Sequence, residues 1–244
     1  MRNCSISWKT GVSEWLMPNW LVPASVHAVF RTRVGGFSKG PYAGLNVGLH
    51  VGDKRALVLK NRQTLAQKLP VEPTWLDQVH SNRCLLIGSS AVDDNKADAA
   101  VTDQKNRVLA VMVADCLPIL LSELNGHGVA VIHAGWKGLA NGVIASTLKN
   151  LQGEWAAWLG PAIGPCHYEV GLDVRQQFQS DIGFSVRGDR WMMDLKQIAG
   201  VQLERGGVRR ISGAEECTFC LPEKYYSHRR DGVTGRMAGF IWFD

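Results

Sequence analysis

The 244-residue sequence has no unbroken apolar stretch of membrane-spanning length, no charge run, no internal repeat and no low-complexity segment. Each absence removes a class of protein. A spanning helix needs roughly 20 mostly apolar residues, and the segment 15–23 that follows Arg2 and Lys9 is broken by Pro18 and Pro23. Neither a signal peptide nor a membrane anchor is therefore expected. Twenty-seven Lys and Arg against 22 Asp and Glu leave a net charge of +5. The basic residues are scattered, which excludes a nucleic-acid arm and suits a small anionic substrate. Cysteine is sparse, with six residues at positions 4, 84, 116, 166, 217 and 220. That density is far below a secreted disulfide scaffold, so the thiols are expected to be reduced and the protein cytoplasmic. With no linker to divide it, the chain is expected to form a single domain over 1–244, with residues 1–25 as an extension packed on it.

What is present is a hydrophobic content of 45%, enough for a substantial core. Residues 108–143 hold the most specific chemistry. The short β-branched runs 108–113, 119–121 and 129–132 read as buried strands, and Asn125-Gly126 suits a hairpin, with 123–128 leaving room for a longer loop. Pro118 is expected to interrupt the ladder just after Asp115-Cys116. Another strand ends at His133-Ala134-Gly135-Trp136. Each break leaves a ligand-type side chain where backbone pairing stops, and sites are usually built at such places.

Elsewhere, Val26, Ala28 and Phe30 alternate as in a strand that ends near Arg31 and Arg33. Leu45, Val47, Leu49 and Val51 predict a second strand, whose other face, with Asn46, Gly48 and His50, would line a cleft. Asp53 reads as the N-cap of a helix carrying Val58, Leu65 and Leu69 on one face and stopped by Pro70 and Pro73. In Trp75-Leu-Asp-Gln-Val-His80, strand parity places Gln78 and His80 on the same side. A strand at 84–87 leads to a polar loop through Asp93-Asp94-Asn95-Lys96, and then Asp98 stands as an acid among alanines. Leu139, Val143, Ile144, Leu148 and Leu151 predict one amphipathic helix. A strand at 155–159 enters the stiff loop 160–165. Asp194 is expected to cap a helix carrying Leu195, Ile198, Ala199 and Leu203, which Gly206-Gly207 ends. Strands at 208–212 and 237–243 complete a mixture of strands and helices.

His80, Cys116 and His133 are candidates for one site. Two imidazoles and a thiolate suit zinc, and three protein ligands leave a fourth tetrahedral position for a water whose pKa falls to about 7. A buried cysteine is more often a small hydrophobe, and a strand-end histidine is often only hydrogen-bonded. Two other readings use the same residues: a Cys116 nucleophile with His133 as its base, and a copper centre with Met112 as a weak axial ligand. Cys217-Thr-Phe-Cys220 is a lone C-x-x-C pair and reads as structural or incidental. Arg229-Arg230, with Arg31 and Arg33, are candidates for an anion pocket, against the alternative of a solvated pair braced by Asp231.

Trp75-Leu-Asp-Gln-Val-His80, Ala97-Asp-Ala, Ala114-Asp-Cys-Leu-Pro118, His133-Ala-Gly-Trp-Lys-Gly138, Trp158-Leu-Gly-Pro-Ala-Ile-Gly-Pro165 and Arg229-Arg-Asp231 together resemble the YfiH family. That family is also called the laccase-domain, multicopper polyphenol oxidase or peptidoglycan editing factor family. The match runs from about Arg31 to the end of the sequence. The resemblance implies an α+β fold, a single domain of four α/β/β/α layers with mixed sheets flanked by helices, and a metal site at His80, Cys116 and His133. It also implies zinc-dependent purine nucleoside chemistry, with copper possible at the site: phosphorolysis of adenosine, inosine and methylthioadenosine, and deamination of adenosine. On that reading Asp98 or Asp115 shuttles protons. Arg33, Arg229 and Arg230 hold phosphate, and Asn46 and Gln78 contact the substrate.

The alternative is an amidase that removes L-serine from a UDP-MurNAc-L-serine peptidoglycan precursor, so the partner is a nucleoside or a nucleotide-sugar substrate, with no nucleic acid or membrane. A third reading is a non-catalytic binding module with a structural zinc. Polyphenol oxidation is disfavoured, because multicopper sites draw on many imidazoles and the seven histidines here contain no His-x-His pair. The chain departs from the family pattern at Cys166-His167 and at Cys217 and Cys220.

Overall fold

A computed structural model describes residues 14–88 and 94–244. Arg2, Cys4, Lys9 and Asp93 lie outside them, as do the first thirteen residues of the expected N-terminal extension. In chain order the strands are β1 (Trp15–Leu16), β2 (Val26–Arg31), β3 (Thr74–Trp75), β4 (Cys84–Leu86), β5 (Ala99–Thr102), β6 (Leu109–Val113) and β7 (Leu117–Glu123). There follow β8 (Val129–Ala134), β9 (Trp155–Leu159), β10 (Glu169–Val170), β11 (Phe184–Arg187), β12 (Arg190–Met193), β13 (Arg210–Gly213) and β14 (Met237–Phe243). The helices are α1 (Arg55–Ala66), α2 (Trp136–Ala140), α3 (Val143–Leu148), α4 (Leu172–Arg175), α5 (Leu195–Arg205) and α6 (His228–Asp231).

Two large mixed sheets result, one in the order β1-β2-β14-β6-β3 and one in the order β13-β9-β7-β8-β5-β4, with a small antiparallel sheet β10-β12-β11 beside them. Side-chain alternation stacks them. In β6, Leu109, Val111 and Val113 face the second sheet's Leu120, Val129 and Val131, while Ala110 and Met112 face Leu65 of α1 and Leu69. In β7 and β8, Ile119, Leu121, Ala130 and Ile132 turn the other way, onto Leu139 of α2, Val143 and Ile144 of α3, and Leu195, Ile198, Ala199 and Leu203 of α5. The order is helix, sheet, sheet, helix, which is why the central strands are apolar on both faces rather than alternating with polar residues. No helix among the described residues is long and apolar enough to cross a membrane.

Several local expectations change. The hairpin between β7 and β8 uses the longer loop, with Glu123 N–H bonded to Gly128 O and only Gly126 at positive φ, 79°. Pro118 stays inside β7, paired with His133, and its carbonyl accepts from Gly160 N–H at 2.8 Å. Its missing N–H falls at the end of the β7–β9 pairing, one residue before Ile119 meets Leu159, so at most the last bond of that ladder is lost. The expected helix over 139–151 is two helices, broken at Gly142 with φ 79°, a left-handed conformation that glycine adopts freely. Residues 45–51 form no strand: Leu45 N–H goes to Arg33 O, Val47 N–H to Arg236 O and Gly48 N–H to the Asn46 side chain. The N-cap of α1 is Lys54 rather than Asp53, whose carboxylate instead ties Ser38 and Asn46 together. Asp194 caps α5 as expected, accepting from Lys196 and Gln197 N–H at 3.0 Å each.

Candidate active site

His80, Cys116 and His133 converge from three separate segments, and their ligand atoms lie within 4.8 Å of one another. His133 is the penultimate residue of β8, Cys116 immediately precedes β7, and His80 lies on the loop between β3 and β4. The strand expected over 75–80 stops at Trp75, and His80 adopts φ 59°. That conformation is uncommon for a non-glycine residue and here is determined by its neighbours.

The neighbour is Asp98. Fully buried, it accepts from the backbone N–H of Val79, His80 and Ser81 at 3.3, 3.0 and 2.6 Å, and from the Ser81 hydroxyl at 2.8 Å. Its Oδ1 also accepts from His133 Nδ1 at 2.8 Å. One carboxylate thus shapes the His80 loop and sets the His133 tautomer, leaving Nε2 toward Cys116. This is the carboxylate–histidine arrangement that orients metal ligands. Burial pushes the Asp98 carboxyl up, but His133 and Ser81 outweigh it and hold it below the ordinary range.

Burial likewise raises the Cys116 thiol, yet His133 and His80 bring it down to about 6. Burial lowers His133, and Cys116 and Asp98 reverse this, raising it to about 9. The two shifts describe one coupled pair, in which the Cys116 thiolate and the protonated His133 ring favour each other. Cys116 Sγ is 3.9 Å from His80 Nε2, near the roughly 3.6 Å that tetrahedral zinc with ordinary Zn–S and Zn–N lengths would impose. The two rings stand edge to face at 4.8 Å. Softness, charge and orientation of this donor set fit zinc, and fit copper as well.

Gly135 follows from that packing. A Cβ there would come within 2.8 Å of Cys116 Sγ and 3.4 Å of His80 Cδ2. Gly135→Ala is expected to lower metal affinity and turnover at least 10-fold by displacing Cys116, while far-ultraviolet circular dichroism stays as in the parent protein. Unchanged metal affinity by chelator competition would refute this.

The other expected site residues fall elsewhere. Asp115, with φ 84°, accepts from Thr218 Oγ1 (2.6 Å), Ser227 Oγ (3.0 Å) and Arg229 N–H (2.6 Å), so it anchors the Cys116 turn to the C-terminal segment. Neither Asp98 nor Asp115 has a carboxylate oxygen without a protein donor. Asn46 is 0% exposed and bonded to Asp53, Gly48 and Arg236, which leaves no face for substrate. Gln78 pairs both ways with the Met112 backbone at 2.8 Å, taking the place of a strand neighbour. Arg33 donates to the carbonyls of Pro222 and Ala43, and Arg230 to those of Thr218, Phe219 and Tyr225. Buried Arg31 is held by Glu14 and Val34. Of the expected anion binders Arg229 is exposed, one nitrogen donating to Glu169 O.

Sequence reasoning passed over Arg62, Arg236, Asp77 and the titratable role of His50. An open cleft of about 290 Å³ is lined by Leu49, His50, Arg62, Trp75, Leu76, Asp77, Asn95 and Met112. His50 is held below its ordinary pKa by burial and then by Arg236, and it lies within electrostatic reach of His133. Burial also lowers Arg236, and the charges of Cys116 and Asp115 oppose that shift, while its Nη1 donates to the carbonyls of Thr234 and Gly235 at 3.1 and 3.0 Å. The only sequence signal for His50 was its alternation with Leu49 and Val51.

Residues 27–244 match the sequence family described as Multi-copper polyphenol oxidoreductase laccase. A Haemophilus influenzae protein named Purine nucleoside phosphorylase is 42% identical, over 93% of this chain and 98% of its own length. The Escherichia coli protein named Purine nucleoside phosphorylase YfiH is 41% identical, over 95% and 99%. Among solved structures, a Neisseria meningitidis protein superposes with a TM-score of 0.90 at 38% identity, covering 95% of this chain and 100% of its own. YlmD from Geobacillus stearothermophilus gives 0.86 at 31%, covering 96% and 98%. The matches cover nearly the whole of both chains, and the chain belongs to the multi-copper polyphenol oxidoreductase laccase family, with the YfiH and YlmD proteins among its relatives.

Proposed function

We propose that this chain is a cytoplasmic, zinc-dependent purine nucleoside phosphorylase that also deaminates adenosine. The observation that carries the reading is the His80–Cys116–His133 cluster near a cleft with basic residues, in a chain whose relatives at 42% and 41% identity bear the phosphorylase name. His80, Cys116 and His133 would hold the zinc, which when bound would supply Lewis-acid charge.

The protein's own groups do the rest. Leu49, Leu76, Trp75 and Met112 offer apolar surface to a purine. Arg62, whose guanidinium lies 3.9 Å over Trp75, together with Arg236 and Arg229, supplies the positive charge for phosphate. Arg230 is set aside because three carbonyls and Asp231 hold its guanidinium, and Arg33 donates to the carbonyls of Pro222 and Ala43. Arg62 and Arg236 also donate to carbonyls, of Val47 and of Thr234 and Gly235. In phosphorolysis a phosphate oxygen bonds to C1′ as the C1′–N9 bond breaks, and the electron pair leaves on the purine, which takes up a proton. In deamination water adds at C6 and ammonia leaves. His50 is assigned the proton exchange in both, since a neutral imidazole carries one donor and one acceptor. Asp98 and Asp115 are positioning residues on this reading.

The test is turnover of inosine with and without phosphate, before and after chelation. Equal yields of hypoxanthine and ribose 1-phosphate, lost on chelation and restored by zinc, are expected. Release of base without phosphate, or no turnover of any purine nucleoside, overturns the reading.

A further inference from the structure

Away from the active-site trio, Cys166, His167, Cys217 and Cys220 bring four ligand atoms within 4.8 Å of one another. The sequence shows a lone C-x-x-C pair because its partners lie about fifty positions earlier in the chain. The fold unites them: β13 runs parallel to β9, so the loops leaving both strands emerge at the same end of the sheet. An isolated bridge between Ala162 and Cys217, with Thr218 N–H bonded to Ala162 O at 3.1 Å, holds the two loops side by side.

We propose that these four residues form a second metal site, a closed Cys3His zinc site with a structural role. Cys166 Sγ lies 4.0 Å from Cys217 Sγ and 3.9 Å from Cys220 Sγ, where tetrahedral zinc with ordinary Zn–S bonds sets sulfurs roughly 3.8 Å apart. A disulfide would need about 2.05 Å. His167 Nδ1 lies 3.2 Å from Cys166 Sγ and 3.3 Å from Cys220 Sγ. Its ring is fixed by stacking on Phe219 at 4.1 Å with planes 14° apart. Gly164 N–H donates to Cys217 Sγ at 3.1 Å, the kind of outer bond that steadies a metal thiolate. Four protein ligands leave no open position, as in structural rather than catalytic zinc sites.

The role follows from what the C-x-x-C turn carries. Thr218, between the two cysteines, donates to Asp115 Oδ1 at 2.6 Å, and Ile163 N–H donates to Asp115 O at 2.9 Å. Both loops of the second site therefore grip the residue that precedes Cys116. Metal in the closed site would lock the turn that presents the active-site thiolate.

The test is zinc stoichiometry of the full chain after equilibration with zinc and dialysis, made in a Cys116→Ala background so that the outcome is independent of the proposed activity. One equivalent is expected in Cys116→Ala, none when Cys220→Ser is added, and one when His167→Cys is added instead, which keeps a four-ligand set. In the cobalt-substituted Cys116→Ala protein, tetrahedral d–d bands and thiolate-to-cobalt charge transfer are expected, and chelation should lower its Tm. Cys116→Ala protein without metal overturns the proposal, even if Cys220→Ser fails to fold. So does a thiol titration, under denaturing conditions with chelator, that finds two fewer thiols than cysteines.

Discussion

Cys116→Ala is expected to lower kcat/KM for inosine and adenosine by roughly 10³-fold, because it removes a ligand whose charge and position define the site. The soft donor of the three-ligand set is gone. Two histidines then remain to bind metal. The fold should tolerate the change, since Cys116 is only half-buried and precedes β7 rather than lying inside it. Steady-state kinetics, zinc content and thermal unfolding together give the answer. Turnover at the parent rate would show that the chemistry lies elsewhere.

Asp98→Asn should be the most damaging conservative change in the molecule. The substitution keeps volume but places an amide NH₂ where donors already converge from Val79, His80, Ser81 and His133. Removing one member of a buried charged pair costs about 3 kcal/mol or more, which in a chain of this size lowers Tm by roughly 10 °C. Losing the partner that sets the His133 tautomer should weaken zinc binding about 10–100-fold. The measurements are Tm and a competitive zinc titration. A Tm unchanged within error, with parental zinc affinity, would mean that Asp98 neither holds the His80 loop nor orients His133.

The depth of that dependence was half visible in the sequence. An acid standing between Ala97 and Ala99 was recognisable as misplaced for a solvated charge, and its burial explains why. Its partners were not recognisable, because they lie seventeen to nineteen residues earlier on a loop, and thirty-five later on β8. The same limit applies to the expected substrate contacts. Gln78 is polar and close in sequence to His80, yet its amide goes to Met112, thirty-four residues away. Arg33 looks available until the carbonyl of Pro222, 189 positions later, is brought against it.

What the sequence by itself determined were properties carried by neighbours along the chain. The β-branched runs became β6, β7 and β8, Asp194 capped α5, and Cys116 and His133 lie next to the start of β7 and the end of β8. Period, propensity and capping act over a few residues, so the residues themselves encode them. Tertiary structure decided which polar groups are consumed and which stay open to a ligand. It buried Asn46, turned Arg33 toward two carbonyls and Arg230 toward three carbonyls and Asp231, turned His80 through a positive φ, and joined Cys166 and His167 to Cys217 and Cys220. Each outcome depends on a hydrogen-bond or ligand partner delivered by another strand or loop, and that partner exists only once the two sheets have stacked and β13 has aligned beside β9.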